Sequence, residues 1–315
     1  STATVITDWN LALPHAQEAT REALAAFPLP YATSGALAVS IQWLFVVVFL
    51  CWLLSVLTRN YSFTDRIWSI TPFCFVWHFA YKARLEDAAG AWDDRLLLMA
   101  VLSTLWGLRL TLNFARKGGY SLKEEDYRWA VLRKLMHPAL FQIFNVVFIA
   151  GYQNVLVYLT ALPAYVAYAY RTPLTQGDYV AAALFLALLA LETVADQQQW
   201  NFYVRKHALI AQKQPLTGDY KAGFNRSGLF RYSRHPNFFA EFSQWCVFYA
   251  FSVTASGVAL NPTVIGAVLL VLLFQGSTVF TEYITAQKYP EYKVYQTQVS
   301  RLVPWFPSAS KKRVD

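Results

Sequence analysis

The side chains best suited to chemistry sit close together between Gly228 and Trp245, in the stretch GLFRYSRHPNFFAEFSQW. Three cations or near-cations, Arg231, Arg234 and His235, surround Tyr232 in its opening loop. Pro236 presets the backbone for the first turn of a helix. Asn237 and Glu241 follow four residues apart, so an amide and a carboxylate share one helix face. The segment behind them, NFFAEFSQWCVFYAFSV, is apolar enough to lie at membrane depth. A carboxylate there is costly and is expected to face a polar cavity or a partner. Cations at a mouth, helix N–H groups behind them and a buried acid inside suit a phosphate-bearing cofactor.

The elements that must position these groups are membrane helices. The 315 residues are 56% hydrophobic, 17% aromatic and 15% charged, outside the balance of soluble domains. The sequence predicts an all-α membrane bundle of seven transmembrane helices preceded by an N-terminal amphipathic helix. Apolar Ala16, Ala19, Ala23 and Phe27 recur at helical spacing between Pro14 and Pro28, with His15, Glu18, Arg21 and Glu22 on the other side. That pattern predicts a short helix lying on a membrane or a partner, with His15 on its polar face. No basic start followed by an apolar core opens residues 1–33, so no signal peptide is expected. The expected spans are about 35–57, 62–81, 96–114, 139–162, 179–195, 237–253 and 263–284. Residues 1–33, 34–305 and 306–315 then form an amphipathic segment, a membrane domain and a basic tail.

Charge orients the spans. Lys and Arg concentrate between spans three and four, between five and six, and after seven, while the 254–261 loop has none. The positive-inside rule gives N-terminus out and C-terminus in, in the endoplasmic reticulum or the mitochondrial inner membrane. The +8 net charge suits anionic lipid or a phosphate ligand better than nucleic acid. Cys51, Cys74 and Cys246 lie in apolar runs without ligand spacing, so neither a disulfide framework nor a metal is expected. His78 reads as a hydrogen-bonded interior residue, His137 as a helix start and His207 as a solvated loop residue. There is no Gly-rich dinucleotide fingerprint, P-loop or Ser–His–Asp order.

Six motifs in order carry a resemblance. They are SFTD at 62–65, WGLRL at 106–110, KEEDYRW at 123–129, LETVADQQ at 191–198, GLFRYSRHPNFFAE, and YPEYKVYQTQVSRLVP at 289–304. Together they resemble the steroid 5α-reductase superfamily, in particular the branch with SRHPN-[FY]-x-[GA]-E. The resemblance implies NADPH as cofactor and an apolar enone or alkene lipid, sterol- or polyprenoid-like, as substrate. It implies cofactor-binding roles for Asp196, Tyr232, Asn237 and Glu241. Arg109, Arg231, Arg234 and His235 complete the expected cofactor set. In the reductases an acid and a tyrosine hold the substrate carbonyl, where negative charge develops. Asp65 is the matching acid, and the plain alternative for it is a helix cap. Trp106 stands where the tyrosine should be, and Tyr120 and Tyr127 are substitutes for it.

RHPNFF with Glu282 also resembles membrane methyltransferases acting on isoprenylcysteine and phospholipids, which implies S-adenosylmethionine. The usual adjacent glutamate pair is absent, since Tyr283 follows Glu282. A third alternative is a non-catalytic structural subunit of a larger membrane assembly, for example a respiratory one, with no cofactor. Trp106, and Ala240 at a position more often glycine, favour that reading.

Overall fold

The computed structural model describes residues 2–308; the basic cluster Lys311, Lys312 and Arg313 lies outside the described residues. Among the described residues, all regular structure is helical. The chain divides into two compact units, residues 1–185 with 245–270 and residues 186–244 with 271–315.

The first unit begins with α1 (Thr2–Thr7) and α2 (Trp9–Ala25). Asp8 caps α2 by accepting a hydrogen bond from the Asn10 N–H. Of the four apolar positions of the predicted amphipathic helix, Ala19 and Ala23 are buried where α2 packs on α3 (Ala36–Thr58), whereas Ala16 is partly buried and Phe27 lies past the helix end and is exposed. The helix lies against its own bundle, and Gln42 of α3 fixes it by donating to Ala23 O and Ala26 O. His15 is no plain polar-face residue: its Nε2 is 2.9 Å from the Tyr165 hydroxyl and the two rings stack.

α3 carries no charge over 23 residues, about 34 Å at 1.5 Å per residue and enough to cross a bilayer. The next apolar stretch is divided between α4 (Phe63–Ile67) and α5 (Thr71–Glu86). α5 packs on α6 (Asp94–Arg116). His78 is interior as expected, with Nε2 2.8 Å from Ala36 O and Nδ1 3.1 Å from the Tyr31 hydroxyl. α7 (Tyr127–Leu135) and α8 (Pro138–Phe144) lead into a π-helical segment, Asn145–Tyr152. His137 caps α8 through the Ala139 N–H. The widened turn continues as α9 (Gln153–Ala161) and α10 (Pro163–Tyr170). Its polar residues join helices: Asn145 and Ser55 exchange hydrogen bonds, and Asn154 donates to Thr64 and Ala150 O.

α11 (Gln176–Ala211) contributes residues to both units. In the first, Asp178 pairs with Arg95 of α6 through two hydrogen bonds of 2.8 and 2.9 Å, both side chains wholly buried. The remaining Arg95 donors reach Thr172 and Pro173 O. A buried ion pair with every polar atom engaged is the arrangement that offsets its desolvation cost.

The second unit holds the rest of α11, then α12 (Gly218–Ala222), a 3₁₀ turn at Gly228–Arg231, parts of α13 (Pro236–Ser256) and α14 (Val264–Lys288), and α15 (Tyr292–Gln298). Its core gathers Ala222, Phe224, Tyr292, Tyr295 and Val299.

Among the described residues, five helical stretches are long and apolar enough to cross a membrane: Ala36–Thr58, Asp94–Arg116, Pro138–Tyr170, Gln176–Ala211 and Val264–Lys288. Of the seven expected spans, the second is the interrupted α4–α5 pair. The sixth is α13, whose Asn237, Glu241, Ser243 and Gln244 lower its apolarity. The three cysteines are free thiols.

Candidate functional site

Pro236 opens α13 as expected, and the four-residue repeat puts Asn237 and Glu241 on one face of it. Glu192 and Asp196 repeat the spacing on α11. Asn237 Nδ2 donates to Asp196 Oδ1 at 3.1 Å. Glu192, Asp196 and Glu241 are all buried. One turn beyond Glu241, Gln244 donates to Glu192 Oε2 at 2.6 Å. The second unit therefore carries a seam of buried carboxylates bridged by amides. The four-residue spacing brought Asn237 and Glu241 into view, and the family resemblance added Asp196.

Arg234 and His235 do something the spacing did not foretell. Both turn to Glu282 near the end of α14. Arg234 Nε and Nη2 donate to its two oxygens at 2.6 and 3.0 Å, and His235 Nε2–H donates to Oε1 at 2.9 Å. The Tyr292 hydroxyl and Gln296 Nε2 add donors at 3.3 and 2.8 Å. Five donors converge on one buried carboxylate. Arg234 Nη1 donates to Gln296 O and Val299 O. The backbone is bound as well. Arg234 N and His235 N donate to Ser300 O and Arg301 O, Ser233 Oγ to Leu302 O, and Trp305 N to Tyr232 O. Residues 299–305 thus form a strap along the SRHP loop. The guanidinium of Arg234 is committed to protein acceptors, whereas Arg231 is exposed in its 3₁₀ turn. Tyr232 is partly exposed, its ring edge-on to Phe306.

Beside the loop is an open cleft of about 750 Å³, within the range of small-molecule sites. α11 runs 16 residues past the expected span end at Ala195 and presents Gln198, Asn201, Phe202 and Arg205 to it. Thr217, Asp219, Tyr220, Asn225 and Ser227 complete much of the wall. Phe202 and Tyr220 stack nearly parallel, with centroids 5.3 Å apart. Gly228 takes a positive φ of 61°, and a Cβ there would meet the Gln198 amide at 2.5 Å. Only glycine lets the turn close on Gln198, whose Oε1 accepts the Leu229 N–H. Burial pushes the Asp219 carboxyl up, but hydrogen bonds from Ser227 and from the Arg226 backbone and side chain hold it below its usual range.

Two expected residues occupy the first unit. Asp65 does not cap α4: its Oδ2 accepts the Trp129 indole N–H at 2.9 Å, with Arg128 Nη2 4.0 Å from Oδ1. SFTD and KEEDYRW are thus joined. Arg66 adds to the joint by donating to Gly119 O, Ser121 O and Glu124 O, and Asp126 N donates to Ser62. Trp106 is completely buried, edge-on to Trp245 at 4.9 Å. Its Nε1 has no acceptor among the described residues. Arg109 lies half-buried on α6, three residues further along. Among the described residues no group of His, Cys, Asp and Glu could hold a metal ion.

Residues 51–299, which include the SRHPN loop, the carboxylate seam and Glu282, match the family described as "Protein of unknown function (DUF1295)". The chain belongs to the DUF1295 family. It is 40% identical over 282 residues to "Uncharacterized protein C594.04c" of Schizosaccharomyces pombe (strain 972 / ATCC 24843). That match covers 87% of this chain and 81% of the yeast protein. No solved structure matches the chain. The family assignment covers five of the six motifs in full and the sixth through Val299.

Proposed function

We propose that this DUF1295 protein is a membrane reductase that uses NAD(P)H to reduce an apolar enone or alkene lipid of the sterol or polyprenoid kind. The observation that carries the reading is the Asp196–Asn237 hydrogen bond beside buried Glu241. Acceptor carboxylates flanking an amide complement a primary carboxamide, which offers two N–H donors and one carbonyl. Bound NAD(P)H would supply the hydride. Asp196, Asn237 and Glu241 would hold its carboxamide end. The cleft would take the nucleotide end, with Arg205 toward a phosphate and the Phe202–Tyr220 stack toward the base. Arg234, His235 and Glu282 act as positioning residues that fix the loop. Asp65, the acid that the reductase resemblance implies, is assigned the proton to the substrate. Trp106, with an unused buried N–H, is assigned the substrate oxygen.

The membrane arrangement belongs to the same reading: α5 and α13 also cross, giving seven spans with the N-terminus out and the C-terminus in. The membrane is that of the endoplasmic reticulum or the mitochondrial inner membrane. One observation favours a lipid methyltransferase as the second reading. Arg234 and His235 meet Glu282, as an Arg-His-Pro motif serving S-adenosylmethionine with a C-terminal acid would. Thermal unfolding of the purified chain separates the readings. NADPH or NADP⁺ at about 100 times Kd should stabilise it by about 2.7 kcal/mol. Stabilisation by S-adenosylmethionine alone selects the methyltransferase. Stabilisation by neither, with recovery in a stoichiometric membrane complex, selects a structural subunit.

A further inference from the structure

Two lysines of the second unit, neither used by the cofactor reading, gather on one tyrosine. Lys206 lies in the last turns of α11, and Lys288 is the final residue of α14. Lys206 Nζ donates to Gly223 O at 3.1 Å and to the Tyr289 hydroxyl at 3.2 Å. Both ammonium groups lie over the Tyr289 ring, 4.9 and 5.4 Å from its centroid. Gly223 has φ 96°, and a Cβ there would lie 2.2 Å from that ring, so glycine lets the phenol lie on the turn. Burial pushes the phenol pKa up, but Lys206 and Lys288 together hold it below the ordinary tyrosine value. Among the described residues neither lysine forms an ion pair with a carboxylate. Two ammonium groups gathered on one phenol without an acid leave a concentrated positive charge.

We propose that Lys206, Lys288 and Tyr289 form a seat for the phosphate of an anionic phospholipid headgroup. The position favours a lipid over a free phosphate. Lys206 lies in the last turns, and Lys288 at the end, of helices long and apolar enough to span a bilayer, and the Lys206–Tyr289 hydrogen bond sets those two stretches side by side. Tyr203 and Tyr283, about a turn back on the same helices, are 53% and 58% exposed. Exposed tyrosines at helix ends mark the headgroup level. The flanking segments 205–235 and 288–308 carry ten Lys and Arg against two Asp and Glu, a surplus as large as the whole chain's +8. A surface of that sign attracts the anionic leaflet. The seat does not depend on the reductase reading, because no nucleotide is part of it.

The test is a lipid titration of the purified, delipidated full chain by native mass spectrometry. Phosphatidylglycerol and phosphatidylcholine with the same acyl chains are compared. Lys206→Gln/Lys288→Gln keeps donors for Gly223 O and Tyr289 while removing both charges. It should weaken phosphatidylglycerol binding roughly thirty-fold, at about a factor of five per lysine, and leave phosphatidylcholine binding unchanged. Lys288 is exposed, so Lys288→Gln alone preserves the fold and should cost about five-fold. Undiminished phosphatidylglycerol binding in the folded single variant would overturn the seat. Displacement of phosphatidylglycerol by equimolar inorganic phosphate or NADPH would overturn the lipid assignment.

Discussion

Replacing Glu282 by Gln tests whether the Arg234–His235–Glu282 cluster holds the SRHP loop. The substitution keeps shape and volume but removes the charge. One of the two oxygens becomes an NH₂ facing donors. Oε1 now accepts from Arg234 Nε, His235 Nε2 and Tyr292, and Oε2 from Arg234 Nη2 and Gln296. Either amide orientation sets donor against donor. The side chains of Arg234 and Glu282 are only 9% and 5% exposed, so water cannot replace the lost acceptor. Removing one partner of a buried pair costs about 3–5 kcal/mol. At about 2 °C per kcal/mol for a chain of this size, the melting midpoint should fall by about 6–10 °C. Differential scanning fluorimetry in detergent reads the midpoint. Hydrogen exchange at the Arg234 and His235 amides, which are bonded to residues 300 and 301, should accelerate with it. A fall of less than about 2 °C with exchange unchanged would refute the reasoning, since the pair would then contribute no more than a surface ion pair.

Arg95→Ala in the first unit leaves Asp178 buried without its cation and should cost about 3–5 kcal/mol in unfolding. Arg95→Met/Asp178→Leu should lose clearly less, as read from the same melts. Asp65→Asn retains an acceptor for Trp129, so stability should move by less than about 1 kcal/mol. A reductase using Asp65 as acid should nevertheless lose about 10²-fold in turnover at unchanged cofactor affinity. Asp219 titrates below the usual carboxylate range when folded. Its stabilising contribution is therefore present above the unfolded value near 4 and is lost as pH falls through the lower folded value. Asp219→Asn should flatten the melting midpoint across that acid window, and an unaltered pH profile would count against the assignment.

The legible parts of the fold and site were those with a local rule. The i, i+4 spacing placed Asn237 beside Glu241, and Pro236 placed the start of α13. Hydropathy located α3, α6 and α14 because each is one continuous apolar run. It could not show that the stretch after Ser62 breaks between α4 and α5, where the chain turns to bring Arg66 under the 119–124 loop. The α2 pattern identified the buried alanines but not what buries them. Amphipathicity specifies a face, whereas Gln42 and Tyr165 come from distant segments. The cleft was missed for a similar reason. Gln198, Asn201 and Arg205 follow the apolar run and resemble a loop, until the helix is seen to continue to Ala211. The YQTQVSRLVP motif was visible, but its contact with the SRHP loop spans 66 residues and leaves no periodic trace.

That long-range strap has a consequence for biosynthesis. At roughly 5–20 residues per second, a ribosome needs about 3–13 s to travel from Arg234 to Ser300. During that interval α13 can already be helical, yet the Arg234 and His235 amides lack their acceptors and the guanidinium lacks Val299 O. The SRHP loop is thus assembled after synthesis of the segment that contains it, once residues 299–302 emerge. A chain stalled or cut before Val299 would keep the Arg234–Glu282 pair but leave the Arg234 and His235 amides, and one guanidinium nitrogen, without their acceptors from residues 299–301.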